Sequence, residues 1–301
     1  MTLPPTDRTL STLEDSSEAA PLAPDLPPLT TVTLDGLGDI AVRHLEGPNG
    51  APTVILIHGW TASADINYFT AYAALGEHFN VIAFDQRGHG SGLRTKRVFR
   101  LEDCADDVAR VADAFNVDQF IPVGYSMGGT IAQLVWKRHP HRVRGLVLCA
   151  TAPTFAERRD ERVSFMGLTG LATLARVTPG QARDWISEQF YLQRKSETWG
   201  PWAVSQAAQH DWRMVLEAGR ALGQFSSLPW LNEVDVPTSI VATLRDPVVP
   251  LRRQAKLFEL IPHADIFRVN GEHDAIVAES SSFVPTLIRA IHAAARTSNV
   301  Q

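Results

Sequence analysis

Short, almost unbroken runs of β-branched and aliphatic residues recur along the chain, each ending at a glycine or a polar turn, with helix-patterned stretches between them. "PTVILIHG" (52–59), "FNVIAFDQRG" (79–88), "DQFIPVGYS" (118–126), "RVRGLVLCA" (142–150), "PTSIVATLRD" (237–246) and "ADIFRVNGEH" (264–273) are of this kind. A strand without a polar face must be covered on both sides, which is the environment of a parallel sheet whose connections are helices. The alternation therefore predicts an α/β protein with a mostly parallel sheet flanked by helices. Ahead of it, "TTVTLDG" (30–36) and "DIAVRHLEG" (39–47) alternate like an antiparallel pair broken by Gly36 and Gly38. "LEDCADDVARVADAF" (101–115) sets Leu101, Val108, Val111 and Phe115 on one helical face. "INYFTAYAALGEH" (66–78) has helical spacing, and "SSFVPTLIRAIHAAA" (281–295) forms a closing helix.

Two stretches break the rhythm. Residues 1–28 are rich in Pro, Ser and acidic residues and lack the apolar core of a signal peptide, so they read as a disordered N-terminal tail. Residues 153–231 contain no buried-strand run but hold helical patterns such as "GQARDWISEQFYL" and "DWRMVLEAGRAL". They read as a helical cap inserted into a core made of residues 29–152 and 232–301.

Apolar residues make up 45% of the 301 and charged residues 20%, enough for a substantial core. The net charge is −5 and the basic residues are scattered, which argues against a nucleic-acid partner or a stable membrane association. No apolar run reaches the roughly 20 residues that span a bilayer. The expected location is the cytoplasm. Cys104 and Cys149 lie in apolar-patterned segments and read as small buried hydrophobes. No His/Cys/carboxylate cluster has metal-ligand spacing and no glycine-rich loop suits a phosphate, so neither metal nor cofactor is expected. Nothing in the sequence sets the oligomeric state.

"IPVGYSMGGTIAQLVW" (121–136) carries the chemistry. An apolar run stops at Gly124, passes Tyr125 and Ser126, meets Gly128 and Gly129, and resumes with helical rhythm. A strand that turns sharply into a helix strains the residue at the bend and brings neighbouring chain too close for side chains at Gly124 and Gly128. Such a turn lifts Ser126 above the sheet as a nucleophile. A serine hydroxyl needs a base, and the base needs an orienting acid, in the chain order Ser, acid, His. Of the ten histidines, His273 sits in a turn after the last strand, on the edge where Ser126 emerges. His139 and His141 end a helix and read as solvent-exposed, His263 lies at the far end of a strand, and His292 is on the closing helix. Asp246 ends the preceding strand, just before Pro247, and is the expected acid; Glu157 is the alternative if it is not. Asp274 and Glu272, adjacent to His273, point elsewhere.

With "HGW", "DQRGHGSG", "GYSMGG", "RDPVVP" and "GEH" in this order, the chain from about residue 31 to 295 resembles the α/β-hydrolase superfamily, and within it the serine esterase-like members with helical lids. The resemblance implies an eight-stranded sheet with antiparallel first strands and a lid after the sixth strand. It implies an oxyanion hole built from the backbone N–H groups of Met127 and, in the turn "HGWTAS", Trp60. His58 and Gly59 would position that turn, while Asp85 and Arg87 would hold the "DQRGHGSG" loop. Dehalogenases and epoxide hydrolases of this fold carry aspartate where this chain has Ser126, so those substrates are not expected.

The chemistry implied is hydrolysis of a carboxylic ester, thioester or lactone through an acyl-enzyme, with a small apolar acyl substrate. Rival readings are a carbon–carbon bond hydrolase or lyase, for which Arg245 is an ambiguous hint, a cofactor-free perhydrolase of the haloperoxidase kind, and a non-catalytic binding protein. Trp185, Trp199, Trp202, Trp212 and Trp230 supply packing for the cap, and some of them an apolar pocket wall.

Overall fold

The computed structural model describes residues 23–157, 161, 165, 167 and 200–296. Its frame is an eight-stranded sheet: β1 (Leu29–Leu34), β2 (Gly38–Leu45), β3 (Thr53–Ile57), β4 (Asn80–Phe84), β5 (Ile121–Tyr125), β6 (Leu146–Cys149), β7 (Thr238–Thr243) and β8 (Asp265–Val269). The spatial order is β1-β2-β4-β3-β5-β6-β7-β8. β1 pairs antiparallel with β2 and β2 with β4, and every later pairing is parallel. The expected α/β class, with its antiparallel start, is the observed one.

Successive residues of the central strands feed two separate cores, as the two-residue period of a strand requires. Ile55, Ile57, Ile82 and Phe84 join one cluster; Val54, Leu56, Val81 and Ala83 join the other. Among the described residues the helices are α1 (Ala64–Tyr68), α2 (Tyr72–Gly76), α3 (Leu101–Ala114), α4 (Met127–Arg138), α5 (Gly200–Ala207), α6 (Trp212–Gln224), α7 (Leu251–Leu260), α8 (Ala275–Ala278) and α9 (Ser280–Ala294). α3 and α4 cover the first face through Leu101, Cys104, Val108, Val111, Ile131 and Val135. The predicted stripe on α3 holds, with Phe115 just past its end and half-buried against the cluster. On the second face Phe283, Leu287 and Ile291 of α9 pack beside Tyr68 and Tyr72. A fully buried side chain such as Phe283 contributes about 1.5–3 kcal/mol through burial.

Three expectations need correction. The single helix over 66–78 is two short ones, α1 and α2. Ser63 caps α1 through its Oγ to Ile66 N–H, and the chain then turns so that the Thr70 hydroxyl donates to the Ile276 carbonyl at 2.8 Å. His139 is half-buried rather than exposed, its Nε2 2.9 Å from Asp106 Oδ1. Residues 23–28, assigned to the tail, touch the domain: the Arg43 guanidinium donates to the Pro27 carbonyl, and Leu26 packs on the second core.

The described part of the segment between β6 and β7 holds α5 and α6, joined to the core by non-helical stretches that form an isolated bridge from Thr154 to Ser226. Met214, Ala218 and Leu222 of α6 enter the first core cluster. Trp202 and Trp212 are buried, and Trp230 stacks on Trp136 at 6.0 Å. Trp185 and Trp199 lie outside the described residues, as does most of the tail. Both cysteines are buried free thiols, and burial pushes each well above the ordinary thiol range. No described helix is long and apolar enough to cross a membrane. Among the described residues no group of His, Cys, Asp and Glu is arranged to hold a metal ion.

Candidate active site

Ser126 stands between β5 and α4 at φ 54°, ψ −116°, a strained backbone for a residue with a side chain. Four bonds hold it there. Its N–H donates to the Cys149 carbonyl at 2.9 Å, and its carbonyl accepts from Gly129 N–H at 2.9 Å, from Thr130 N–H at 3.4 Å and from the Thr151 hydroxyl at 2.7 Å. The glycines are explained by close approach. A Cβ on Gly124 would run into the Gly128 backbone, one on Gly128 into the Ile57 carbonyl, and one on Gly129 into the Thr151 side chain. Such strain costs about 1–3 kcal/mol, and a fully bonded surround sustains it.

His273 lies in the loop between β8 and α8, with Nε2 3.0 Å from Ser126 Oγ. Its Nδ1 is 2.7 Å from Asp246 Oδ2. Asp246 follows β7 and is buried. Its Oδ1 accepts from the Val248 and Val249 N–H groups at 2.8 Å each, and Oδ2 also from the Thr243 hydroxyl at 2.8 Å. Burial pushes this carboxyl upward, but the bonds from His273, Val249 and Thr243 outweigh it and hold the group below the usual carboxylate range. The acceptor-rich anion therefore fixes the imidazole with its proton on Nδ1 and its lone pair toward Ser126. Glu157, the alternative acid, faces Lys256 at 3.1 Å and the arginines of α7.

Two partners of this arrangement were not foreseen. The Tyr125 hydroxyl donates to the His273 carbonyl at 2.7 Å, and Thr243 supports Asp246. A tyrosine directly before the serine and a threonine ending a strand are the only sequence signals for them, and neither is specific.

The loop after β3 runs beside the serine, since a Cβ on Gly59 would lie 3.3 Å from Ser126 Cβ. His58 secures it: Nε2 accepts from Gln86 N–H at 2.8 Å and Nδ1–H donates to the Gly59 carbonyl at 2.8 Å. Burial holds His58 below the ordinary histidine range, so the ring is neutral. Gly59 N–H donates to Asn67 Oδ1 at 2.7 Å. The N–H groups of Trp60 and Met127, one on this loop and one opening α4, donate to no acceptor among the described residues. Asp85 accepts from Ala64 and Ser91, and Arg87 grips Asp107 of α3 through two nitrogens at 2.5 and 2.8 Å. The "DQRGHGSG" loop is thereby tied to two helices.

A sharp strand-to-helix turn presenting a serine at the carboxyl end of a central parallel strand, with a histidine and an aspartate delivered beside it by later strands, is the architecture of the α/β hydrolase class. The family model described as the alpha/beta hydrolase fold matches residues 52–279, and the chain belongs to that family. It is 26% identical over 247 residues to a putative carbamate hydrolase RutD of Agrobacterium fabrum, covering 79% of this chain and 92% of the relative. It is also 26% identical over 270 residues to a poly(3-hydroxyalkanoate) depolymerase of Ectopseudomonas oleovorans, covering 86% and 90%. Among solved structures, a bromoperoxidase from Bacillus anthracis superposes with a TM-score of 0.75 at 19% identity, over 88% of this chain and all of the other, a likeness of fold.

Proposed function

We propose that the protein is a serine hydrolase that cleaves a carboxylic ester, thioester or lactone through an acyl-enzyme, with Ser126 as nucleophile, His273 as general base and acid, and Asp246 as the orienting anion. The observation that carries this reading is the continuous chain Ser126 Oγ, His273 Nε2 at 3.0 Å, and His273 Nδ1 to Asp246 at 2.7 Å. Ser126 attacks the acyl carbon as His273 takes its proton. The negative charge reaching the carbonyl oxygen is met by the N–H groups of Met127 and Trp60, fixed donors whose loss typically costs 10²–10³ in kcat, by analogy with measured cases. His273 then protonates the leaving alcohol, and water repeats the cycle in reverse. The β6–β7 segment serves as a cap and gives the site an apolar acyl wall. No metal or cofactor takes part.

Support for acyl chemistry comes also from relatives named as a carbamate hydrolase and a depolymerase. The experiment is a panel run on the full chain: p-nitrophenyl esters of increasing acyl length, an aryl carbamate, and hydrogen peroxide as competing acceptor, with and without chelator. Turnover of short to medium esters, indifferent to chelator, is the expected result. Fluorophosphonate labelling of Ser126 without ester turnover would redirect the reading to carbon–carbon cleavage or lyase chemistry, and dominant peroxide-dependent oxidation to a perhydrolase.

A further inference from the structure

The Trp60 side chain reaches α6. Its indole Nε1–H donates to the Val215 carbonyl on α6 at 2.7 Å, across 155 positions of sequence. The next residue, Thr61, has φ 61°, a left-handed backbone that a β-branched residue keeps only where its surroundings impose it. The Thr61 hydroxyl donates back to the Trp60 carbonyl at 2.6 Å, and the Thr61 carbonyl faces His210 Nε2 at 3.3 Å. His210 Nδ1 accepts from Gly90 N–H at 2.7 Å, which leaves the ring proton on Nε2, directed at Thr61. Around these contacts Asp211 N–H donates to the Gly88 carbonyl at 2.8 Å, and the Met214 side chain occupies the space a Cβ on Gly88 would need. The β6–β7 segment is thus bonded to the loop after β3 and the loop after β4 together.

We propose that the loop bearing the Trp60 N–H is held in its donating geometry by the β6–β7 segment, with the Trp60 indole and His210 as positioning residues for stabilisation of the oxyanion. This rests on the reading of Trp60 N–H as an oxyanion donor. The core fixes the front of the loop through His58 and Asn67, but Trp60 and Thr61 gain their outward anchors from α6 and the turn before it. Loss of the indole bond and of the His210 contact removes two restraints on this side of the loop, and the peptide of Trp60 turns away from its donating position. A donor must lie within about 2.7–3.1 Å of the oxyanion to act, so a small rotation removes its effect. Ground-state binding of the ester needs that bond far less, so the loss falls on kcat.

The test uses the full chain with Trp60→Phe, which keeps the backbone N–H and removes the indole donor, and His210→Ala. Both are compared with the unaltered protein for kcat and KM on p-nitrophenyl butyrate, for Ki of an alkyl trifluoromethyl ketone whose serine adduct carries an oxyanion, and for melting temperature. Each variant is expected to lose about ten-fold or more in kcat, with KM within about three-fold and Ki weakened in step with kcat. Should His210→Ala fail to fold, Trp60→Phe decides alone. Unchanged kcat and Ki in Trp60→Phe, or a rise in KM with kcat intact, overturns the proposal; the second result would make Trp60 a wall of the substrate pocket. If the unaltered protein neither turns over the ester nor binds the ketone, the hydrolase reading itself fails and the inference falls with it.

Discussion

At the scale of single residues, the arrangement depends on a few atoms whose loss has separable effects. Ser126→Ala should abolish labelling by a fluorophosphonate while leaving the melting temperature nearly unchanged; labelling that survives the substitution would place the nucleophile elsewhere. Asp246→Asn keeps the shape but reverses the tautomer preference of His273, and should cost roughly four orders of magnitude in kcat. A nearly silent Asp246→Asn would remove Asp246 from the mechanism. Because its bonds hold the Asp246 carboxyl below the ordinary range, its contribution to stability is complete above the unfolded-state value of about 3.9 and is lost only as pH falls through the lower folded value. Ser126, His273 and Asp246 were legible because each is marked by local chain chemistry: glycines where side chains cannot fit, and turns that end buried strands. Tyr125 and Thr243 were not legible, because what they do depends on which carbonyl or carboxylate folding brings opposite them.

At the scale of elements, the turn from β5 into α4 is the most constrained. Alanine ordinarily stabilises a helix by about 1 kcal/mol relative to glycine. Gly128→Ala should do the reverse, since the added Cβ meets the Ile57 carbonyl of the neighbouring strand β3, and overpacking of this kind costs about 1–3 kcal/mol. A lowered denaturation midpoint in Gly128→Ala, against no loss for alanine at the open Gly200, would show that close approach rather than helix propensity governs the turn. The strands were readable because a face-to-face buried strand admits hardly any polar residue, as in "TVILI" and "NVIAF". The break between α1 and α2 escaped detection because no glycine or proline marks it; it arises from the lateral bond of Thr70 to the α8 backbone.

At the scale of the whole molecule, three histidines from separate parts of the chain meet behind the loop after β3. The rings of His58 and His89 are 5.2 Å apart, and those of His89 and His210 5.4 Å. Burial lowers all three below the ordinary histidine value, His210 to about 4. The unfolded chain therefore binds more protons than the folded one in mildly acidic solution, so stability is fully present above about pH 6.5 and drains away as pH falls toward 4. Urea midpoints at pH 7 and pH 5 should differ markedly, and His89→Phe should narrow the difference; equal midpoints for the unaltered protein would refute the coupling. The N-terminal boundary is testable in the same way. A chain starting at residue 23 should outlast one starting at Leu29, which lacks the Leu26 packing and the Pro27 carbonyl that Arg43 holds, and identical melting would show those contacts to be idle. The bond from Tyr125 to the His273 carbonyl has a further consequence at this scale. Ser126 and His273 are 147 positions apart in sequence, yet the residue next to one grips the backbone of the other, so the two loops are tied at a second point beside their own side-chain contact. Thermal displacements of the two loops should then be correlated, and the gap between Ser126 Oγ and His273 Nε2 should fluctuate less than either loop does alone.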